Sequence, residues 1–282
     1  AYGELTIWSL ITGRIDHALG FSRVMMALDP PAEYTWNLRK KYYGWMGIWL
    51  RAMALRASGK REQADAMQFN HFRDHGAKIS LLHATRGRGK AAYLMQHKWM
   101  TKAKDADAIE HIFAVDNDDK ESIQLAIQKC VVVPAGGGCV AAWNAAAQAS
   151  NGKVLVQMSD DFEPPLHWDQ IILDRLGDLD QPAVLAVSDG SRTDRLLCMA
   201  ILTRARYEAQ GFLFHPDFKS MFSDDYFTHQ AYKDGVVIEA RDVVFEHMHP
   251  AFNKGKMDET YAISNAAERY NEGAAIFERL TA

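Results

Sequence analysis

The chain has 282 residues, 48% of them hydrophobic and 24% charged, the make-up of an ordinary globular protein with room for one large domain or two smaller ones. A formal net charge of −4 removes any general electrostatic pull toward nucleic acid or anionic lipid, leaving a local basic patch as the only route to either. The three cysteines, Cys130, Cys139 and Cys198, are odd in number and lack metal-site spacing, so they read as buried thiols of a reducing, cytoplasmic protein.

The chain starts at Ala1, without an initiator Met and already in helical pattern, and reads as a piece of something longer. No stretch looks like a signal peptide or a membrane span. Apolar spacing predicts helices over residues 4–12, 14–28, 37–57 and 60–74, and no strand before residue 77. The most apolar window, "YYGWMGIWLRAMAL" at 42–55, is shorter than the roughly 20 residues a bilayer span needs, and Arg51 interrupts it. It reads as a core helix, with a place on the surface of the inner membrane as the alternative. "TGR" at 12–14 and "SGK" at 58–60 read as turns between helix pairs, each followed by an alanine five residues after its glycine, Ala18 and Ala64. Residues 13–30, "GRIDHALGFSRVMMALDP", resemble the second helix of a tetratricopeptide repeat, although the two glycines lie 46 residues apart and the repeat is about 34 long. Residues 1–76 therefore read as a degenerate repeat region that packs, docks a protein partner or forms a dimer. A plain helical extension is the rival reading.

From residue 77 the pattern alternates. Apolar runs at 78–84, 109–115, 130–133, 153–158, 183–187, 197–202 and 236–245 predict strands, with helices at 89–104, 119–129 and 138–150. This is a βαβα order and predicts an α/β sheet, largely parallel at first. Such sheets bind ligands at the carboxyl ends of their strands.

The strand ends are rich in chemistry. The first closes in "TRGRGK" (85–90), the second in "DNDDKES" (116–122) and the fourth in "SDD" (159–161). "PAGGGCVAAWNAAAQASNG" is a Gly-rich turn opening an Ala-rich helix, whose small residues permit close helix–sheet packing or a close backbone approach to a ligand. Neither a P-loop nor a G-x-G-x-x-G pattern is present. "DNDD" alone reads equally as an acidic helix cap. Asp160 and Asp161 are harder to place that way: adjacent carboxylates repel, and a hard divalent cation with oxygen ligands, Mn²⁺ or Mg²⁺, would relieve them.

In this order the motifs resemble the GT-A nucleotide-sugar glycosyltransferases, most closely inverting family 2, over about residues 77–250. The resemblance implies a Rossmann-like, mostly parallel sheet flanked by helices, with residues 1–76 as an all-α extension and 77–282 as the transferase domain. It implies a nucleotide-sugar donor, a UDP-sugar by preference, and a glycan, lipid-linked sugar or protein as acceptor. "HATRGR" matches the first-strand motif, with Thr85 at the base and Arg86 and Arg88 beside the donor; "FAVDNDD" places Asp116 or Asn117 at uracil. Asn144 falls where the family approaches the nucleotide, Asp160 at the ribose or metal, and Asp161 on the metal in the D-x-D-type motif. In "FSDDYFTHQAYKDG" (222–235) Asp225 takes the place of the catalytic base, with Asp224 before it; the competing reading is an acidic helix start.

In "VVFEHMHP" (243–250) His247 and His249 alternate along an expected strand and so share a face, and one of them, His247 by preference, would complete the metal shell. Lys254 and Lys256, in "NKGKMDE", would close over the diphosphate unless the loop is merely solvated. Asp189 and Arg192 of "SDGSRTDR" would meet the acceptor or sugar, and Trp168 would stack on a sugar ring or belong to the core. Two rivals remain: a sugar-phosphate nucleotidylyltransferase, whose Gly-rich lead "HATRGRGK" lacks, and a non-catalytic helical-repeat binding protein, against which the intact acidic set argues.

Overall fold

The computed structural model describes residues 6, 9, 13–27, 45–60, 62–64, 67, 76–125, 129–255 and 257–282. They fall into two compact units, residues 1–76 with 126–129, and residues 77–125 with 130–282.

In the first unit, helices α1 (Ile15–Ala27) and α2 (Trp45–Ala57) are entered and left through glycines in the left-handed region, Gly13 at φ 71° and Gly59 at φ 79°. Only glycine adopts that conformation without a Cβ penalty, so both sequence breaks are turns. Ala18 and Ala64 are buried, the latter packed with Ala52, Leu55 and Leu19. Arg51 reaches from α2 to α1, where its Nη1 donates to Leu19 O at 2.9 Å and to Ser22 Oγ at 3.4 Å. The charge that interrupts the apolar window thus satisfies polar atoms of the neighbouring helix. The expected helices at 4–12 and 60–74 lie largely outside the described residues, as do 37–44 and 28–30.

The second unit is a mixed α/β body. Its strands are β1 (Ile79–Thr85), β2 (Ile109–Asp116), β3 (Lys129–Val133, of which Lys129 falls to the first unit), β4 (Val154–Met158), β5 (Phe162–Glu163), β6 (Val184–Ser188), β7 (Ile201–Thr203), β8 (Val237–Val244) and β9 (Glu246–His247). Its helices are α3 (Gly89–Lys102), α4 (Lys120–Leu125), α5 (Gly138–Gln148), α6 (Trp168–Leu176), α7 (Arg204–Gln210), α8 (Ser223–Lys233), α9 (Glu259–Ser264) and α10 (Ala267–Thr281). Seven strands form one sheet in the order β3-β2-β1-β4-β7-β6-β8. β1 runs parallel to both β2 and β4, β6 parallel to β8, and β7 antiparallel to β4 and β6. Every residue of β1, β2 and β4 is buried, as expected of strands covered by helices on both faces.

Within the seven-stranded sheet and the helices joining it, two elements depart from the sequence reading. The apolar run at 197–202 becomes strand only from Ile201. Its first half is irregular and buried except at Cys198; there the Gln157 side chain accepts from Ala200 N at 2.9 Å while Gln157 N donates to Ala200 O at 2.8 Å, a side chain taking part of the ladder's work. The helix expected at 119–129 gives way to β3 at Lys129. The cysteines are half-buried rather than buried. Among the described residues no helix is long and apolar enough to cross a membrane.

Candidate active site at the strand ends

β4 delivers Asp160 and Asp161 to the carboxyl edge of the sheet, and the fold sends them to different partners. Asp160 turns toward β1: His83 Nε2 lies 2.8 Å from its Oδ1, and Thr85 Oγ1 donates to its Oδ2 at 3.0 Å. His83 is fully buried, and its Nδ1 stands 3.0 Å from His111 Nε2 on β2. Burial, with His83 beside it, pushes the pKa of His111 far down, so that ring is neutral. Asp161 turns toward β9 and α9, where His247 Nε2 lies 3.1 Å from its Oδ2 and the Tyr261 hydroxyl donates to the same oxygen at 2.7 Å. Burial opposes the Asp161 charge, but His247 and Tyr261 outweigh it and hold the carboxyl well below the usual range. Each aspartate thus has its own histidine.

His247 arrives through the small sheet. β5 and β9 pair antiparallel with Phe162 opposite His247, and the imidazole stacks on the Phe162 ring with centroids 4.1 Å apart. His247 N donates to Asp189 O at 3.0 Å and Met248 N to Asp161 O at 2.7 Å, stitching three strand ends together. The expected strand carrying both histidines is not formed. β9 stops at His247, since Pro250 cannot donate to a ladder and opens a 3-10 turn, residues 250–252. His249 caps that turn, its Nδ1 accepting from Ala251 N at 3.1 Å, with its ring 5.1 Å from His247 and 4.8 Å from Tyr261.

Among the described residues, no trio of His, Cys, Asp or Glu forms a ready cage for a metal ion. The donor chemistry nonetheless fits Mg²⁺ or Mn²⁺, which are held by one or two carboxylates together with substrate phosphates. Asp161 Oδ1 is buried and meets no donor in hydrogen-bond geometry, on a carboxyl held ionised by His247, Tyr261 and the neighbouring Ser159 hydroxyl. Such an orphaned anionic oxygen is costly unless a cation answers it.

The basic and acidic loops interlock. Arg86 forks onto Asp118 at 2.6 and 2.9 Å and also bonds Asp116, while Gly87 N donates to Asp119 Oδ2 at 2.6 Å. Asp119 also caps α4 through Ser122 N at 3.1 Å, so the helix-cap reading of "DNDD" holds at that residue. Asn117 is exposed and accepts from Ala135 N at 3.2 Å. Arg88 pairs with both oxygens of Asp258, at 2.7 and 2.6 Å, and lies over the Tyr261 ring, 4.0 Å from its centre. Thr260 Oγ1 donates to Arg86 O at 3.0 Å. Residues 258–261 therefore strap the β1 loop and the Asp161 carboxylate together.

A second acidic group stands at the start of α8. Burial, reinforced by the charge of Asp225, raises Asp224 to about 6, with the nearby Arg192 acting the other way. Burial also raises Asp225, again countered by Arg192. Asp189 holds the Arg192 loop in place, its Oδ1 accepting from Ser191 N at 2.9 Å and Arg192 N at 2.8 Å. Both carboxylates sit in the first turn, where the macrodipole favours negative charge.

Other sequence candidates go elsewhere. Asn144 is a clamp: its Nδ2 donates to Phe214 O at 2.7 Å and its Oδ1 accepts from Leu213 N and Phe214 N, both at 3.0 Å. Lys254 bonds Ser191 Oγ at 2.8 Å, Gly190 O at 3.2 Å and Glu246, in place of a free closing loop. Lys256 lies outside the described residues. Trp168 is core, fully buried with its Nε1 donating to Trp99 O at 2.8 Å. The Gly-rich turn presses on the chain's own backbone, Val140 N donating to Lys219 O at 3.3 Å.

No family model and no curated protein sequence matches this chain. Solved structures do. S. aureus TarS 1-349 in complex with UDP-GlcNAc is 14% identical over 71% of this chain and 65% of that one, with a TM-score of 0.54. The mixed sheet and that overlap settle the architecture. The chain has a GT-A fold. A second structure of S. aureus TarS 1-349 is 14% identical over 60% of this chain and 59% of that one, TM-score 0.49. A mannosyltransferase from Pyrobaculum calidifontis in complex with GDP-Man and Mn²⁺ is 15% identical over 83% and 86%, TM-score 0.47. The chain spans less than two thirds of the length of the TarS structures it matches.

Sequence reading missed His83, Asp258 and Tyr261. His83 did carry a signal: it lies two residues before Thr85 on a strand, hence on the same face. Tyr261 carried none, being 100 residues from Asp161.

Proposed function

We propose that this protein is a metal-dependent glycosyltransferase that moves a sugar from a nucleoside diphosphate donor to an acceptor hydroxyl. The observation that carries the reading is Asp161: an ionised, buried carboxylate with one oxygen unpartnered and an imidazole on the other, at the carboxyl edge of a GT-A sheet. The fold likeness to a structure holding UDP-GlcNAc supports a nucleotide-sugar donor, with UDP as the nucleotide of choice. Asp161 and His247 would hold Mn²⁺ or Mg²⁺. The ion, when bound, supplies positive charge to the leaving diphosphate.

The chain's own groups do the rest. Thr85 and Asp160 present hydroxyl and carboxylate to the nucleotide, and Arg86 and Arg88 supply cationic charge beside it. Asp225 accepts the proton of the acceptor hydroxyl as it attacks, which is the inverting arrangement, and its raised pKa makes it a better base than an exposed aspartate. Arg192, facing both carboxylates of the pair, keeps them usable as bases near neutrality. The acceptor is a glycan, a lipid-linked sugar or a protein, and residues 1–76 are an accessory region that docks it or a second copy.

The test is turnover of UDP-sugars and GDP-sugars with Mn²⁺, followed by free nucleotide release and product anomeric configuration. Asp225→Asn is expected to lower transfer by about 10²- to 10⁴-fold while leaving nucleotide affinity in place. Release from none of the donors, or a retained anomeric configuration, contradicts the reading as stated.

A further inference from the structure

We propose that His83, backed by His111, is a positioning residue that locks the Asp160 carboxylate in the orientation the donor nucleotide meets; the proposal rests on the glycosyl-transfer reading above. His83 lies in the middle of the sheet, on β1 between β2 and β4, with no solvent exposure. A buried imidazole is costly unless both nitrogens are bonded, and both are, Nε2 to Asp160 at 2.8 Å and Nδ1 to His111 at 3.0 Å. A carboxylate only accepts, so His83 Nε2 carries a proton and donates. Nδ1 shares the remaining bond with His111 Nε2, so the two rings and the carboxylate form one hydrogen-bonded chain ending on Asp160.

Thr85 completes the lock. His83 takes one oxygen of Asp160 and Thr85 the other, at 3.0 Å, so the carboxylate cannot rotate about its own axis without breaking a bond. Each oxygen keeps a second lone pair, the right chemistry to accept hydroxyl donors such as those of a ribose. Asp161 is held separately, by His247 and Tyr261. A histidine needed only for packing would have no reason to end its hydrogen-bond chain on a strand-end carboxylate.

The test is calorimetric titration of UDP, and then GDP, with Mn²⁺ into the full chain and into His83→Leu, His83→Gln, Asp160→Asn and the double variant His83→Leu/Asp160→Asn. His83→Leu is expected to weaken binding about tenfold or more, as loss of a supporting hydrogen bond does at metal sites. The glutamine amide reaches close to the place of Nε2, so His83→Gln recovers most of the affinity. Because His83 acts through Asp160, the double variant binds no more weakly than Asp160→Asn alone. Additive losses, or unchanged affinity in His83→Leu, overturn the proposal and leave the glycosyl-transfer reading standing. No binding of either nucleotide by the unaltered chain removes both. Should His83→Leu not fold, His83→Asn, whose amide is too short to reach Asp160, replaces it: equal binding by the asparagine and glutamine variants overturns the proposal, and rescue by glutamine alone supports it.

Discussion

Asp224 and Asp225 sit side by side at the start of α8 with Arg192 nearby, and burial holds Asp224 at about 6. A carboxyl raised on folding keeps its proton longer in the native state than in the unfolded chain. Its contribution to stability is therefore full below the unfolded value of about 4 and is lost as pH rises through about 6. Asp224→Asn is accordingly expected to stabilise the protein at neutral pH by about 1–3 kcal/mol, since each pKa unit is worth about 1.4 kcal/mol. The gain should vanish near pH 4, and thermal melts across this range would show both effects. Burial raises Asp225 as well, so transfer should fall on acidification at a pH above that of an exposed aspartate, readable from the pH profile of turnover. At this scale the sequence displayed the charged residues but not their partners. Asp160 and Asp161 looked like two charges awaiting one cation, whereas each has its own histidine, from 77 and 86 residues away. Asn144 looked like a donor contact because it sits in the right helix; its amide bonds three backbone groups of Leu213 and Phe214, about 70 residues downstream, which no local pattern reveals.

The elements place those residues. Parallel strands β1, β2 and β4 end together, so Thr85, Asp116 and Asp160 share one edge of the sheet. The Gly-rich turn lets α5 close against Lys219: Gly138 has φ 74°, and a Cβ there would collide with the Lys219 carbonyl. Gly138→Ala is expected to destabilise the fold by about 2 kcal/mol or more, through strain and overpacking together, measurable by urea unfolding. The buried parallel strands were legible because continuous apolar runs of four to eight residues bounded by polar turns have few other readings. Less legible were the run at 197–202, where Gln157 replaces part of a ladder, and β9, whose two residues are too short to carry a period. β9 is also the element that brings His247 to Asp161, so the sequence paired this histidine with the strand-end aspartates from an incorrect strand.

For the whole molecule, residues 77–125 with 130–282 hold every strand-end group discussed above. A chain of residues 77–282 is therefore expected to bind nucleotide within about threefold of the full chain, a difference of under 1 kcal/mol, while losing whatever acceptor or partner contact residues 1–76 provide. Comparative titration of the two chains would decide this. A tenfold loss would place part of the donor site in the helical region. The most direct measurement of the central claim is titration of UDP into the full chain with and without Mn²⁺, repeated on Asp161→Ala. The account predicts binding that requires the ion and disappears in the variant, because the variant removes the orphaned oxygen beside His247. Binding indifferent to Mn²⁺, or kept by Asp161→Ala, would contradict it.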